Sequence, residues 1–196
     1  MKTCFVSYNG DETIPVARYL RNRKLRKYFS RETSVAVVCA AQLLEGESLH
    51  PQTPFYYAAG LLAFEEYGLP KLVEASLTDE GRFSAQQFVE MGLAGISPLT
   101  SFKCLQNMSL AFISVELGLT GDNAVVSVSA ASLLAHARLA PTNSSVLIGA
   151  GKADRDGYAA ASFALTTGEE LIQFPTPAPG TTALSFLRDL SMGAVP

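Results

Sequence analysis

The sequence predicts an α/β domain built on one mixed β-sheet with helices on both faces. Short apolar stretches alternate along the chain with longer segments in which apolar residues recur at helical spacing. Apolar residues make up 48% of the 196 residues and charged residues 17%, which is enough apolar material for one buried core. Strands that alternate with helices form sheets covered on both faces. We therefore expect a single domain over residues 1–196.

The first half of the chain supplies both kinds of element. Glycine and Asn-Gly breaks bound its apolar stretches, and a Ser-x-x-Gln capping box at Ser84 starts a short helix. Val35, Val38 and Leu43 recur at helical spacing, so they lie on one face of a helix that Gly46 ends. The predicted strands are 3–8 and 55–59, and the predicted helices are 14–20, 30–44, one that begins near Gly60, and 85–91.

The second half continues the alternation. A helix after residue 129 must end before Pro141, because the residue before a proline avoids the helical region. Gly118 stops an earlier helix, and a proline-rich turn over 175–180 precedes a terminal one. We predict an ordered loop at 97–106, helices at 108–117, 130–139 and 183–190, and strands at 124–128, 146–150 and 158–165.

Composition excludes several classes of function. A formal net charge of -3 argues against general nucleic-acid binding. No apolar run is long enough to span a bilayer, and residues 1–15 lack a basic start followed by an apolar core, so we expect a cytoplasmic protein. Cys4, Cys39 and Cys104 are scattered and form no C-x-x-C pair, which predicts a reducing compartment. We expect no metal site and no cofactor.

Residues 97–132 carry the most specific pattern in the chain. An S-P segment leads to an N-M helix start, a G-L-T-G turn, a short apolar strand and a V-S-A-A-S turn into the next helix. This order resembles the nucleophile region of β-ketoacyl synthases, members of the thiolase superfamily. Ala130 stands where that family has its cysteine. A thiol at such a turn is activated by the helix N-terminus and accepts an acyl chain, which a methyl group cannot do.

Weaker matches follow in the same order along nearly the whole chain. Residues 26–44 resemble a basic stretch and the helix after it, and residues 59–66 are similar to the family's G-x-G-G segment. Residues 148–151 and 155–158 resemble its V-A-G-G strand end and its R-D-G-F turn. The resemblance implies a thiolase-like half-fold, since ketosynthases have two related halves and the chain matches the first. The second half supplies the catalytic histidines, and neither His50 nor His136 lies in such a motif.

A half-scaffold without its nucleophile resembles the chain length factors of type II polyketide systems. The resemblance implies a non-catalytic subunit that binds a full-length ketosynthase and shapes its acyl tunnel, in polyketide, polyene or fatty-acid-type biosynthesis. We do not expect a lone monomer, because without the second half a large face of the domain would be exposed and would need a partner to bury it. The residues implied at the interface are Asn107, Met108, Ala124, Val125, Val126, Ser127 and Val128. Those implied in shaping the tunnel are Phe64, Thr100 and Phe112.

A basic run stands out in this acidic chain, since seven of its fifteen Lys and Arg residues lie between Arg18 and Arg31. Such a run is commonly a solvated helix face, and the functional alternative is a docking site for an acidic acyl carrier protein, a second expected partner. The docking residues would be Arg21, Arg23, Lys24, Arg26 and Lys27.

Alternatives of other classes remain open. An acyltransferase or thioesterase would use Ser127, Ser129 or Ser132 near Ala130, although no G-x-S-x-G elbow accompanies them. Cys104 is a further candidate nucleophile. The run Gly149-Ala150-Gly151-Lys152 invites a phosphate-loop interpretation, but its spacing fits neither glycine-rich motif. A homodimeric protein that binds acyl chains or carrier proteins is the third alternative.

Overall fold

A computed structural model describes residues 1–60, 69–95, 97–103 and 105–193. Its centre is a five-stranded mixed sheet in the order β1-β5-β4-β2-β3. The neighbouring strands β4, β2 and β3 run parallel, with β3 at the edge, whereas β5 is antiparallel to both β4 and β1. The strands are β1 (Lys2–Tyr8), β2 (Phe55–Ala58), β3 (Asn123–Val126), β4 (Ser145–Ala153) and β5 (Ala159–Thr167).

Helices cover both faces of this sheet, which confirms the predicted α/β class. The helices are α1 (Arg31–Leu44), α2 (Leu69–Ala75), α3 (Ala85–Gln87), α4 (Pro98–Lys103), α5 (Met108–Leu117), α6 (Ala130–Ala137), α7 (Gly168–Gln173) and α8 (Ala183–Ser191). On one face, α1 and α5 bury an apolar layer around Phe55, Tyr57 and Phe163. On the other face, α6, α7 and α8 bury a second layer around Ile148 and Leu187.

Helix α8 covers the part of the sheet beside α6 with residues of this same chain. Ala183 and Leu187 are fully buried there, and Phe186 is nearly so. The expectation that a missing second half leaves the sheet face uncovered is therefore wrong for this face. No partner is needed to cover this face, and an interface would lie on another surface.

Most predicted elements are confirmed within two or three residues. Helix α5 has the predicted bounds, and α1 begins after Ser30, whose hydroxyl accepts a hydrogen bond from the Thr33 backbone at 3.0 Å. That helix ends at Glu45, in the left-handed region with φ 48°, one residue before the predicted Gly46. Strands β4 and β5 are longer than predicted, while β3 and α6 each stop two residues short.

Two predicted elements are wrong, and a third is confirmed as helical but not as one regular α-helix. Residues 14–20 form only a short 3-10 turn over Val16–Arg18, and the helix predicted at 85–91 passes from α3 into a π-type turn over Phe88–Gly92. The loop predicted at 97–106 contains α4. Helices α2 and α7 had no sequence prediction. The helix predicted from Gly60, with Phe64, lies outside the described residues.

The segment from α2 to residue 105 exposes many large apolar side chains. Helix α2 packs mainly on the turns that follow it, rather than on the sheet. Phe83 is 66% exposed, Val89 63% and Met91 61%, whereas the sheet itself buries its apolar residues on both faces. Leu77, Leu99 and Phe102 are also more than one-third exposed. Over the described residues, no helix has the length and apolar character that crossing a bilayer requires.

Candidate functional site

Ala130 is the first residue of α6, at the strand-to-helix turn that follows β3. Its side chain is fully buried in the apolar layer that α6 shares with α8. Ser129 caps the helix, since its hydroxyl accepts a hydrogen bond from the Ser132 backbone at 3.4 Å. The turn and helix N-terminus predicted from sequence are therefore present, and they place a methyl group in the core.

The C-terminal segment of the chain closes over this position. The Ala130 backbone N–H donates to the Thr181 carbonyl at 3.0 Å, and the Ala183 N–H donates to the Val128 carbonyl at 2.7 Å. Between these two bonds, Ser129 and Thr182 form an antiparallel bridge. An amide at a helix N-terminus is the group that would stabilise an anionic reaction centre. Here the amide of Ala130 is already occupied by the protein's own carbonyl.

The serines near Ala130 form no nucleophile–base pair among the described residues. The Ser127 hydroxyl lies 3.3 Å from the Ser132 hydroxyl, and Ser129 serves as the helix cap. His136 is exposed, and its Nδ1 lies 2.9 Å from the backbone oxygen of Ser132, not from a hydroxyl. A serine nucleophile needs a base within hydrogen-bond reach. This geometry therefore offers no support for a serine enzyme. Cys104 lies outside the described residues.

Strand β3 is an edge strand. It pairs with β2 on one side, and its other side has no strand partner in the described chain. The Phe55 N–H donates to the Asp122 carbonyl, which fixes the ladder. Because amides alternate in direction along a strand, those of Ala124 and Val126 point to β2 and that of Val125 points outwards. Unpaired amides and carbonyls at an edge are a template for adding another strand.

The other residues predicted at the interface or in the tunnel lie in different elements and differ in burial. Asn107 is exposed just before α5, and Met108 is half-buried at its first position. Phe112 is buried in the core, with its ring centroid 4.8 Å from that of Phe29. Ser127 and Val128, predicted as strand residues, follow β3 and are exposed, because the chain turns there towards α6. Thr100 lies within α4.

Four of the predicted docking residues line a pocket of about 510 Å³. A fifth basic residue, which was not predicted from the sequence, lines it with them. A 3-10 helix over Arg23–Tyr28 supplies the four, and Lys103 of α4 is the fifth. The pocket is lined by Arg23, Lys24, Arg26, Lys27 and Lys103. None of these five forms an ion pair with another described residue. Arg21 lies apart, and its backbone N–H donates to Glu116 Oε2 at 2.7 Å.

Glu32 is a buried carboxyl that sequence analysis missed. It lies in the first turn of α1, and the Tyr57 hydroxyl at the end of β2 donates to its Oε1 at 2.9 Å. Burial raises the pKa of the Glu32 carboxyl to about 7, although the hydrogen bonds from Tyr57 and from the Gly60 backbone act in the opposite direction. The sequence gives one indication of this buried carboxyl: residues 33–44, which follow Glu32, contain no charged residue.

The phosphate-loop interpretation of residues 149–152 is wrong. All four lie inside β4, and a Cβ at Gly149 would come within 2.3 Å of the Phe163 ring. The glycine therefore serves close packing and leaves no loop for a phosphate. No group of three or more His, Cys, Asp or Glu side chains in the described part of the chain is placed to hold a metal ion.

Comparison with known proteins finds solved structures to which this chain is similar. No model of a protein family matches it, and no curated protein matches it. The chain is similar to a ketosynthase (ApeO) in complex with its chain length factor (ApeC) from Xenorhabdus doucetiae, at 13% identity and a TM-score of 0.48. The match covers 85% of this chain and 77% of the other.

Proposed function

We propose that this chain is a non-catalytic subunit, similar to a chain length factor, that assembles with a full-length ketosynthase and shapes its acyl tunnel. The product would be a polyketide, polyene or fatty-acid-type chain. The proposal rests on one juxtaposition: the position that resembles the nucleophile holds the buried Ala130, while the strand directly before it has a free edge. The turn carries no nucleophilic side chain at residue 130, and the edge of β3 beside it is available to a partner protein.

Two features support an interface with another protein. The outward amide of Val125 gives a partner strand a hydrogen-bond donor at the edge of β3. The exposed apolar side chains between α2 and residue 105, among them Phe83 and Met91, are of the kind that protein interfaces bury. A partner that covered both would supply the binding free energy that scattered surface residues do not.

The basic pocket supports a second contact, with an acyl carrier protein. Five cations without described ion-pair partners produce a local positive potential in a chain whose net charge is -3. An acidic carrier protein would be attracted to this surface, and that attraction would raise the rate of encounter more than the final affinity. Carrier-protein docking at this pocket is the part of the proposal that depends on charge alone.

The central test is assembly. Co-expression with a full-length ketosynthase from the same genome should yield a heteromer on size-exclusion chromatography with light scattering. A homodimer of this chain that never incorporates the ketosynthase would instead support the homodimeric binding protein. Acylation of Ser127, Ser129 or Ser132 by carrier-bound acyl thioesters, detected by mass spectrometry, would contradict a non-catalytic subunit.

The tunnel role has its own test in the co-expressed complex. Phe64→Ala should lengthen the products, because a smaller side chain leaves more room at the closed end of a tunnel. A complex that assembles normally but yields an unchanged product profile would contradict the role of Phe64 and leave assembly intact.

A further inference from the structure

A cavity of about 1000 Å³ lies between the last turns of α1, the last turns of α5 and the start of β1. Its described lining includes no residue of β3 or α6, so it is separate from the Ala130 turn and from the proposed interface. Val37, Ala41 and Leu117 contribute to an apolar wall. A cavity of this size, with an apolar wall and a few polar groups, is typical of small-molecule sites.

Glu116 lines this cavity, and only one of its two carboxylate oxygens has a hydrogen-bond partner among the described residues. The residue is 5% exposed, and its Oε2 accepts the Arg21 N–H at 2.7 Å. Its Oε1 is buried and has no hydrogen-bond partner among the described residues. A buried carboxylate oxygen without a donor destabilises the fold unless a ligand supplies one. The missing group is therefore a hydrogen-bond donor, and a positively charged donor would satisfy it best.

The rest of the cavity also favours a cation. Helices α1 and α5 both end beside it, so the negative ends of two helix dipoles meet there. Glu45 and Glu47 add two carboxylates to that of Glu116. Two cations, Lys2 and Arg21, also line the cavity, but Lys2 is paired with Glu47 at 2.6 Å. Glu45 itself adopts φ 48° here because it caps the C-terminus of α1, so its backbone needs no ligand to explain it.

We propose that this cavity binds a small organic ammonium ion with an apolar body, such as an alkylamine. The nitrogen donates to Glu116, and the hydrocarbon packs against Val37, Ala41 and Leu117. The inference stands on the cavity alone and does not depend on the proposed partner-subunit function.

The test is isothermal titration of the full chain with three probes of equal length: hexylammonium, hexanol and hexanoate. Hexylammonium should bind about tenfold more tightly than hexanol, since a charge-assisted hydrogen bond contributes at least that factor. Hexanoate should bind most weakly. Glu116→Gln should remove the advantage of hexylammonium, whereas Glu74→Gln, at an exposed carboxylate of α2, should leave it unchanged.

Ala41→Phe provides a second variant, which fills the cavity from the surface of α1. Binding of hexylammonium should disappear while the melting temperature stays near that of the wild type. Equal affinity for the three probes, no binding of hexylammonium at millimolar concentration, or unchanged binding in Ala41→Phe would each overturn the proposal. The comparison of probes on the wild-type chain decides the question even where Glu116→Gln fails to fold.

Discussion

Two neighbouring stretches of this chain have opposite surroundings. Residues 123–126 form an edge strand with no strand partner on one side in the described chain, whereas Ala130, four residues later, is fully buried beneath the C-terminal segment. In an enzyme with a nucleophile at this turn, the reactive atom must be reachable, and the strand before it need only hold it in place. Here the turn is buried and the strand edge is open, so the proposed function places the partner contact on the strand and not on the turn.

The strongest way to break this comparison is to restore the thiol. In Ala130→Cys, iodoacetamide should label residue 130 at least about 1000-fold more slowly than in the unfolded chain, because the hydrogen bonds that the Thr181 and Val128 carbonyls accept must open first. Peptide mass spectrometry resolves this site from the native cysteines. Ala131→Cys, exposed on the same helix, is the matched control and should label rapidly.

Rapid labelling at residue 130 would mean that the turn opens freely and that the closure seen here is weak. The variant should also show no condensation activity, since it gains no histidine to act with the thiol. Acyl transfer to the introduced thiol would contradict the closed turn outright.

The open strand can be blocked without disturbing its pairing to β2. Val125→Pro removes an amide that points away from the sheet, and proline is tolerated at such edge positions. The complex with a ketosynthase should weaken by about 100-fold or more, because a central interface contact is lost and the ring obstructs an added strand. Analytical size exclusion of the co-expressed proteins measures this.

Val125→Ala retains the amide and serves as the control, so its complex should persist. If Val125→Pro assembles as well as Val125→Ala, the edge of β3 is not the interface.

Features that depend on neighbouring residues in the sequence could be predicted, whereas contacts between residues far apart in the sequence could not. The bounds of α5 follow from Gly118, whose φ of 70° ends the helix locally. The loop predicted at 97–106 was wrong because proline suits the first position of a helix, which Pro98 occupies in α4. The closure over Ala130 joins residues about fifty positions apart, and no local pattern encodes that contact.

Glu32 tests whether the other face of the sheet is closed as tightly as the Ala130 face. The pKa of its carboxyl rises from 4.5 to about 7 on burial, so the folded state holds the proton more strongly than the unfolded chain. The contribution of Glu32 to stability should be largest below pH 4.5, fall as the pH rises to about 7, and then stay level. The loss should be about 2 kcal/mol, somewhat below the value that the full shift implies.

Glu32→Gln keeps an acceptor for the Tyr57 hydroxyl and removes the titrating group. Urea unfolding at pH 4 and pH 8 should therefore show a smaller change in the free energy of unfolding than in the wild type. An unchanged pH dependence would mean that water reaches Glu32 and that this face is open.

The smallest expected effect is on the affinity for an acyl carrier protein, and it tests whether the basic pocket or the basic run in the sequence is the docking surface. Lys103 lies outside the run but lines the pocket, whereas Arg21 lies in the run but outside the pocket. Lys103→Glu should weaken binding of an acidic acyl carrier protein about five-fold, mainly through a slower association rate, and the effect should shrink at high salt. Arg21→Glu should change the affinity little, which surface plasmon resonance at two salt concentrations would show. The reverse result, with Arg21→Glu as the weaker binder, would place the docking surface along the sequence run instead of around the pocket formed by the 3-10 helix and α4.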